Sequence, residues 1–159
     1  MMHDNRIRRF PMLLSALVAL ALAVLPLPSV LEPLRPDFLV LVVFYWCIES
    51  PRAGGLGLAF VSGLALDLVH GVVLGQHALA LTLMGAWATH LRLRIRVYSV
   101  LSQCLTIFLL LTGYQFVLFW VDGATGNPVT TFSRWLAPFI GALLWPPLVN
   151  ALSSVRGRT

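Results

Sequence analysis

The chain has 159 residues, of which 58% are hydrophobic and only 11% are charged, and its mean hydropathy is +0.87. Because soluble domains carry about 25% charged residues, this composition excludes a water-soluble fold. The formal net charge is +5, but the basic residues are all arginines in short clusters between apolar segments. Since nucleic-acid binding needs a continuous basic face, we exclude nucleic acid as a partner and predict a multi-pass membrane protein.

Apolar segments of about 20 residues are long enough to cross the hydrocarbon core of a bilayer as helices. Six segments come close to this length and are bounded by charged residues or by Pro and Gly: about 10–25, 34–50, 54–70, 76–91, 97–121 and 133–152. With six spans and both termini in the cytoplasm, only Arg35 and Arg134 among the arginines lie on the outer side. This bias predicts one transmembrane domain over residues 1–159 with both termini inside.

The second segment begins with Arg35, Pro36 and Asp37. A carboxylate in the first turn of a helix interacts favourably with the positive end of the helix dipole. Arg35 is placed to pair with Asp37, with another acidic residue nearby or with a lipid phosphate. This stretch is either an ordinary helix start at the outer interface or a docking surface for an extracytoplasmic partner. At the other end of the segment, Glu49 is expected to be solvated or to pair with Arg52.

Asp67 lies near the end of the third segment, where a carboxylate inside a membrane is costly. Residues four apart share a helix face, and in steps of four from Asp67 the sequence has only small residues: Gly55, Ala59, Gly63 and Gly71. Small residues let a neighbouring helix approach closely. We therefore expect Asp67 to face protein, and Asp67→Asn to be tolerated for folding if the carboxylate only forms hydrogen bonds.

A turn between the third and fourth segments is predicted at Gly71 and Gly75, because glycine adopts the backbone angles that tight turns need. His70 lies within reach of Asp67 and could donate a hydrogen bond to it, while His77 lies across the turn. The favoured interpretation is an interhelical hydrogen bond or a helix cap. A ligand contact, a proton relay or half of a metal site are the alternatives.

The last two segments carry further polar and helix-breaking residues. Segment 97–121 has a polar side that is predicted to contact another helix, with a solute-lining face as the alternative; it comprises Ser99, Ser102, Gln103, Thr106, Gly113 and Gln115. Pro146 and Pro147 lie within the sixth segment, where tandem proline removes backbone hydrogen bonds. A kink or break in that helix is expected.

Motifs that would indicate an enzyme are missing from the sequence. It contains no nucleophile elbow, no H-E-x-x-H sequence, no P-loop and no cysteine pair with metal-ligand spacing. No loop exceeds about a dozen residues, so a separate catalytic domain outside the membrane is not expected. We predict a non-enzymatic protein without a cofactor or a metal.

Several short motifs, taken in order, resemble the MreD family of bacterial rod shape-determining membrane proteins. The resemblance covers about residues 26–156. It depends on "RPD" at 35–37, "YW" at 45–46, the spacing D-L-x-x-G-x-x-L-G-x-x-A-L over 67–79, and "LLWP" at 143–146.

The resemblance implies a scaffold of the cell-elongation machinery in the bacterial inner membrane, which maintains rod shape and lateral peptidoglycan synthesis. It further implies direct binding of MreC, and association with MreB, RodZ, RodA, a peptidoglycan transpeptidase and membrane lipids. The fold implied is a six-helix bundle similar to the substrate-binding subunits of energy-coupling-factor transporters. Partner binding or structure would then involve Arg35, Pro36, Asp37, Asp67, His70, Gly71 and Gly75. The alternative is a small-solute-binding transporter subunit, in which Asp67, His70 and the polar side of 97–121 line a pocket.

Overall fold

The computed structural model describes residues 2–31, 35, 37–53, 55–126 and 132–157, and over these ranges the chain is helical, without a β-strand. Six α-helices follow one another: α1 (Met2–Val24), α2 (Phe38–Glu49), α3 (Gly55–His70), α4 (Gln76–Val97), α5 (Val100–Thr125) and α6 (Ala137–Gly157). Short 3₁₀ helices, Pro51–Ala53 and Phe132–Leu136, precede α3 and α6. The predicted all-α class is confirmed, and each helix overlaps one of the six predicted segments.

Helix α2 lies at the centre of the bundle. Every residue from 39 to 48 is buried, because α2 is apolar on all sides and is enclosed by α1, α3, α4 and α6. The Trp46 indole N–H also donates to the Ser15 hydroxyl of α1 at 2.9 Å. A helix of 12 residues is only about 18 Å long. Contacts with the surrounding helices therefore fix the position of α2.

Helices α3 and α4 are packed against each other along the small residues of α3. A Cβ atom added to Gly63 would lie 2.3 Å from the Ala78 Cα atom, and one added to Gly55 would lie 3.1 Å from the Cys47 Cα atom of α2. On the facing side of α4, Gly85 would bring a Cβ atom within 3.4 Å of the Ala59 side chain. The small-residue stripe therefore lies between helices, as the sequence predicts.

The two ends of the bundle differ in their polar contacts. At one end, called here the Glu49 end, the Arg96 guanidinium of α4 binds the Glu49 carboxylate of α2 through two hydrogen bonds of 2.7 and 3.2 Å. The sequence suggested Arg52 for that role. The carboxylate raises the pKa of Arg96, mainly through these hydrogen bonds. The other end, called the hairpin end, contains the α3–α4 turn and the start of α6.

The exterior of the bundle is strongly apolar. Along α5 and α6, large apolar side chains such as Leu101 and Leu143 are 82% and 78% exposed. Extended exposed apolar surface of this kind is typical of membrane or protein contact. Within the described ranges, Val100–Thr125 and Arg134–Val155 are long and apolar enough to cross a membrane. Three further apolar helices are shorter, Arg9–Val24, Phe38–Glu49 and Gly55–His70.

The structure bears on two expectations about α5 and α6. A break in α6 is ruled out, because the helix continues through Pro146 and Pro147. The predicted contact side of α5 is confirmed in its second half. A Cβ atom added to Gly113 would lie 2.8 Å from the Met84 sulfur of α4, and Gln115 binds a side chain at the start of α2.

In the first half of α5, the hydroxyls bind within the helix or at its start: Thr106 donates to the Ser102 carbonyl group at 2.9 Å, and the Ser99 and Ser102 hydroxyls are 3.2 Å apart. Short polar side chains can bond to their own backbone, so these hydroxyls do not mark a helix contact.

Candidate functional site: a polar cluster at the hairpin end

The turn between α3 and α4 depends on two glycines with left-handed backbone angles. Gly71 follows the last residue of α3 with φ +63°, and Gly75 precedes α4 with φ +101°. Non-glycine residues rarely adopt these angles. The Val72 N–H donates to the Asp67 carbonyl oxygen at 3.3 Å, as in a helix-ending Schellman motif. Both glycines therefore lie in the turn that the sequence predicts.

Asp67 caps the start of α4 from the neighbouring helix. Its carboxylate accepts the Gly75 N–H at 2.7 Å, the His77 N–H at 2.8 Å and the His77 Nδ1–H at 2.8 Å. Gly75, the N-cap residue of α4, has no side chain with which to bind these N–H groups. A carboxylate in the last turn of α3 opposes the dipole of α3 but complements that of α4. Asp67 is completely buried, and it joins the two helices.

The histidine that contacts Asp67 is His77, and the sequence had suggested His70. His70 Nδ1 instead donates to the Leu66 carbonyl oxygen of its own helix at 2.9 Å. The two imidazole rings stack with centroids 5.1 Å apart and planes 11° from parallel. The turn therefore brings both histidines to one side of Asp67. Their separation of seven residues in the sequence does not show that the two rings are in contact.

A second group of polar side chains connects α4 and α5 to the start of α6. Asp122 accepts the Gln76 Nε2–H at 2.5 Å and an Arg134 guanidinium N–H at 2.7 Å. Arg134 also donates from Nε to Gln115 Oε1 at 2.9 Å. The amide of Gln115 in turn donates to the Asp37 carboxylate of α2 at 3.3 Å. We refer to all these side chains together as the polar cluster: Asp37, Asp67, His70, Gln76, His77, Gln115, Asp122 and Arg134.

The charged residues of the predicted "RPD" site, Arg35 and Asp37, have different hydrogen-bond partners in the structure. Asp37 is the N-cap residue of α2 and forms no side-chain cap; its contact is with Gln115. Arg35 donates to the Leu22 carbonyl oxygen at the end of α1, and its charge also acts on the Asp37 carboxylate. Pro36 lies outside the described residues.

Gln115 was predicted on the contact side of α5, and it does bind Asp37 and Arg134. Sequence reasoning assigned no site role to three further members of the cluster: Gln76, Asp122 and Arg134. Each is an isolated polar residue at or near the end of a long apolar segment, and this position was the available signal. Such residues are usually attributed to the membrane interface, because sequence spacing does not show that helix ends far apart in the chain meet. The sequence placed His77 across the turn, but it did not predict that His77 would bind Asp67.

The arrangement holds helices together and has no nucleophile–base pair. The acceptor oxygens of Asp67 and Asp122 are occupied by N–H donors from neighbouring elements. Among the residues that the structure describes, no group of three or more His, Cys, Asp or Glu side chains could hold a metal ion. The free cysteines, Cys47 and Cys104, lie outside the cluster.

Helices with an apolar exterior, joined at one end by polar side chains, define a helical membrane protein whose polar residues serve its own architecture. Comparison with known proteins identifies the family. The profile of the family described as rod shape-determining protein MreD matches residues 4–155. The rod shape-determining protein MreD of Haemophilus influenzae is 31% identical over 150 residues, which cover 92% of this chain and 91% of the relative. No solved structure matches the chain.

The chain belongs to the MreD family. MreD proteins are structural membrane proteins that determine rod shape. The family assignment made from the sequence motifs is confirmed.

Proposed function

We propose that the chain is a non-enzymatic, multi-pass scaffold of the bacterial inner membrane that binds MreC directly. In this role it acts with MreB, RodZ, RodA and a peptidoglycan transpeptidase to support lateral peptidoglycan synthesis and rod shape. Membership of the MreD family supports the role in shape determination. The partners follow from the same resemblance and are part of the proposal.

The observation that carries the scaffold proposal is the way the polar cluster is used. A solute-binding subunit presents a few polar groups to a cavity, where they fix the ligand. Here Asp67 is fully buried with three N–H donors on its carboxylate, and Asp122 binds both Gln76 and Arg134. Groups already engaged with each other support a bundle that presents its outer surface to partners.

The charge distribution supports a topology of six spans with both termini in the cytoplasm. Arginines of the described helices gather at the Glu49 end, namely Arg9, Arg52, Arg92, Arg94 and Arg96, whereas the hairpin end has Arg35 and Arg134. The positive-inside rule then assigns the Glu49 end to the cytoplasm and the hairpin end to the outer side. Short α2 is compatible with a span, since helices rather than lipid surround it.

Co-purification tests the proposal. Full-length chain with an affinity tag is extracted from cells in a mild detergent, and the eluate is analysed for MreC. We expect MreC in a fixed stoichiometric ratio. A preparation without MreC that retains a small, vitamin-like molecule would instead support the solute-binding alternative, and with it the similarity to energy-coupling-factor subunits.

A further inference from the structure

One side of α4 exposes three side chains that can donate hydrogen bonds. Trp87, His90 and Arg94 are three and four residues apart, so they lie on the same side of the helix. Trp87 is 58% exposed, and His90 and Arg94 are exposed as well. None of the three forms a hydrogen bond or an ion pair with another residue that the structure describes. This side of α4 therefore has N–H donors to which the described part of the chain gives no acceptor.

Toward the hairpin end, the same side of α4 is apolar. Leu79 and Leu83 precede Trp87 in steps of four and are 57% and 50% exposed. We refer to Leu79, Leu83, Trp87, His90 and Arg94 as the exposed α4 face. Over about 22 Å along the helix, this face changes from leucines to an indole, an imidazole and a guanidinium. A phospholipid has the same order of groups, from acyl chains to a charged headgroup, and Trp is favoured at the boundary between them.

The Glu49 end has more arginines than carboxylates to bind them. Among the described side chains, Arg96 binds Glu49. The other described arginines at this end have no carboxylate partner within the described ranges; they are Arg9, Arg52, Arg92 and Arg94. Clustered arginines next to a membrane attract anionic lipids, so the charge favours an anionic headgroup over a zwitterionic one.

We propose that the exposed α4 face binds an anionic phospholipid of the cytoplasmic leaflet. The acyl chains lie along the leucines, the Trp87 indole lies at the glycerol ester groups, and the phosphate binds His90 and Arg94. Guanidinium groups bind phosphate oxygens strongly, because both groups are charged and the N–H fork matches the oxygens. A free phosphate ion would use the donors but would leave the leucines uncovered, so the whole face fits a lipid. The choice of leaflet rests on the proposed function, in which the Glu49 end faces the cytoplasm.

Fluorescence quenching beside this face tests the proposal. In a Cys104→Ser background, Ala86→Cys places a fluorophore at an exposed position of α4, about 12 Å along the axis from Arg94. The labelled full chain is reconstituted in phosphatidylcholine vesicles that contain a small fraction of either brominated phosphatidylglycerol or brominated phosphatidylcholine. We expect phosphatidylglycerol to be enriched at the label by about fivefold relative to phosphatidylcholine, and inorganic phosphate not to displace it.

Arg94→Gln and Arg92→Gln form a matched pair. Each removes one arginine from the same end of α4, but the two side chains are about 200° apart around the helix, so Arg92 lies off the exposed α4 face. Arg94→Gln should remove most of the fivefold enrichment, whereas Arg92→Gln should keep it. Equal elution profiles in size-exclusion chromatography would establish that both variants are folded.

Three results would overturn the lipid site. Equal quenching by the two lipids in the unsubstituted chain would show that there is no preference for an anionic headgroup. Equal loss of enrichment in Arg94→Gln and Arg92→Gln would show a general effect of surface charge. Displacement of phosphatidylglycerol by inorganic phosphate would show that the donors bind a free anion.

Co-purification separates this inference from the proposed function. Arg94→Gln should retain MreC, because the face is assigned to lipid. Loss of MreC from this variant, with the lipid enrichment unchanged, would assign the face to a protein partner and overturn the lipid site. Absence of MreC from the unsubstituted chain would overturn the scaffold proposal alone, since lipid enrichment is measured without MreC.

Discussion

At the scale of single residues, Asp67 shows how a buried charge is accommodated by geometry. Its two carboxylate oxygens accept three N–H groups, two of them from the uncapped start of α4. Both oxygens of the carboxylate therefore act as hydrogen-bond acceptors. This changes the expectation for Asp67→Asn, because an asparagine would turn an NH₂ group toward one of those donors.

The first prediction concerns substitutions of Asp67. Asn should destabilise the bundle by about 1–2 kcal/mol, the usual loss on removing a helix cap. Ala should cost more, because buried N–H groups lose every partner, at about 1–3 kcal/mol for each unsatisfied group. Thermal unfolding of the purified chain in one detergent measures both changes. Equal stability of all three proteins would contradict the capping role.

The second prediction compares two glycines of α3 that differ only in their surroundings. Gly63→Ala places a Cβ atom 2.3 Å from the Ala78 backbone, whereas nothing lies within 4 Å of a Cβ atom at Gly57. Gly63→Ala should cost about 1–3 kcal/mol or more through overpacking. Gly57→Ala should be neutral or stabilising by up to about 1 kcal/mol, since alanine favours helix. Similar effects at both sites would mean that α3 and α4 are not in such close contact.

At the scale of helices, the arginine–carboxylate pairs Arg134–Asp122 and Arg96–Glu49 should differ in strength. Arg134 and Asp122 are mostly buried, with side chains 25% and 11% exposed, whereas Arg96 is half exposed. The third prediction is that Arg134→Gln lowers stability by about 2–3 kcal/mol, since it removes charged hydrogen bonds to α5. Arg96→Gln, the matched control, should cost at most about 1 kcal/mol. Denaturation in increasing ionic detergent measures the difference, and a larger effect at Arg96 would contradict it.

Helix existence and the α3 stripe could be predicted because they depend on local patterns. The length of an apolar segment predicts a helix, and small residues repeated at every fourth position predict which face of the helix can be approached closely. The partner of Asp67 could not be predicted in this way. His70 and His77 are both near Asp67 in the sequence, and only the backbone angles at Gly71 and Gly75 decide which imidazole reaches the carboxylate.

The rest of the polar cluster was less predictable still, because its contacts join distant parts of the chain. Asp37 and Gln115 are 78 residues apart, and Gln76 and Asp122 are 46 apart. No periodicity within one helix contains that information. For the same reason the sequence suggested Arg52 as the partner of Glu49, whereas the structure shows the distant Arg96.

At the scale of the whole molecule, most of the arginines of the described residues lie at the Glu49 end, and the hairpin end has Arg35 and Arg134. The fourth prediction is that these ends lie on opposite sides of the membrane. In a Cys104→Ser background, Leu74→Cys should react with a membrane-impermeant maleimide added to spheroplasts, because the hairpin faces outward. Val97→Cys, which is 85% exposed at the other end, should react only after permeabilisation. The reverse pattern would invert the proposed topology.

The central claim is that the bundle uses its polar residues to hold itself together and offers its surface to a protein partner. Native mass spectrometry of the chain, released from mild detergent, tests this most directly. The account predicts a complex whose mass equals this chain plus MreC in a whole-number ratio, with no tightly held small molecule. A chain of 17.5 kDa that carries a bound solute of a few hundred daltons, and never MreC, would contradict it.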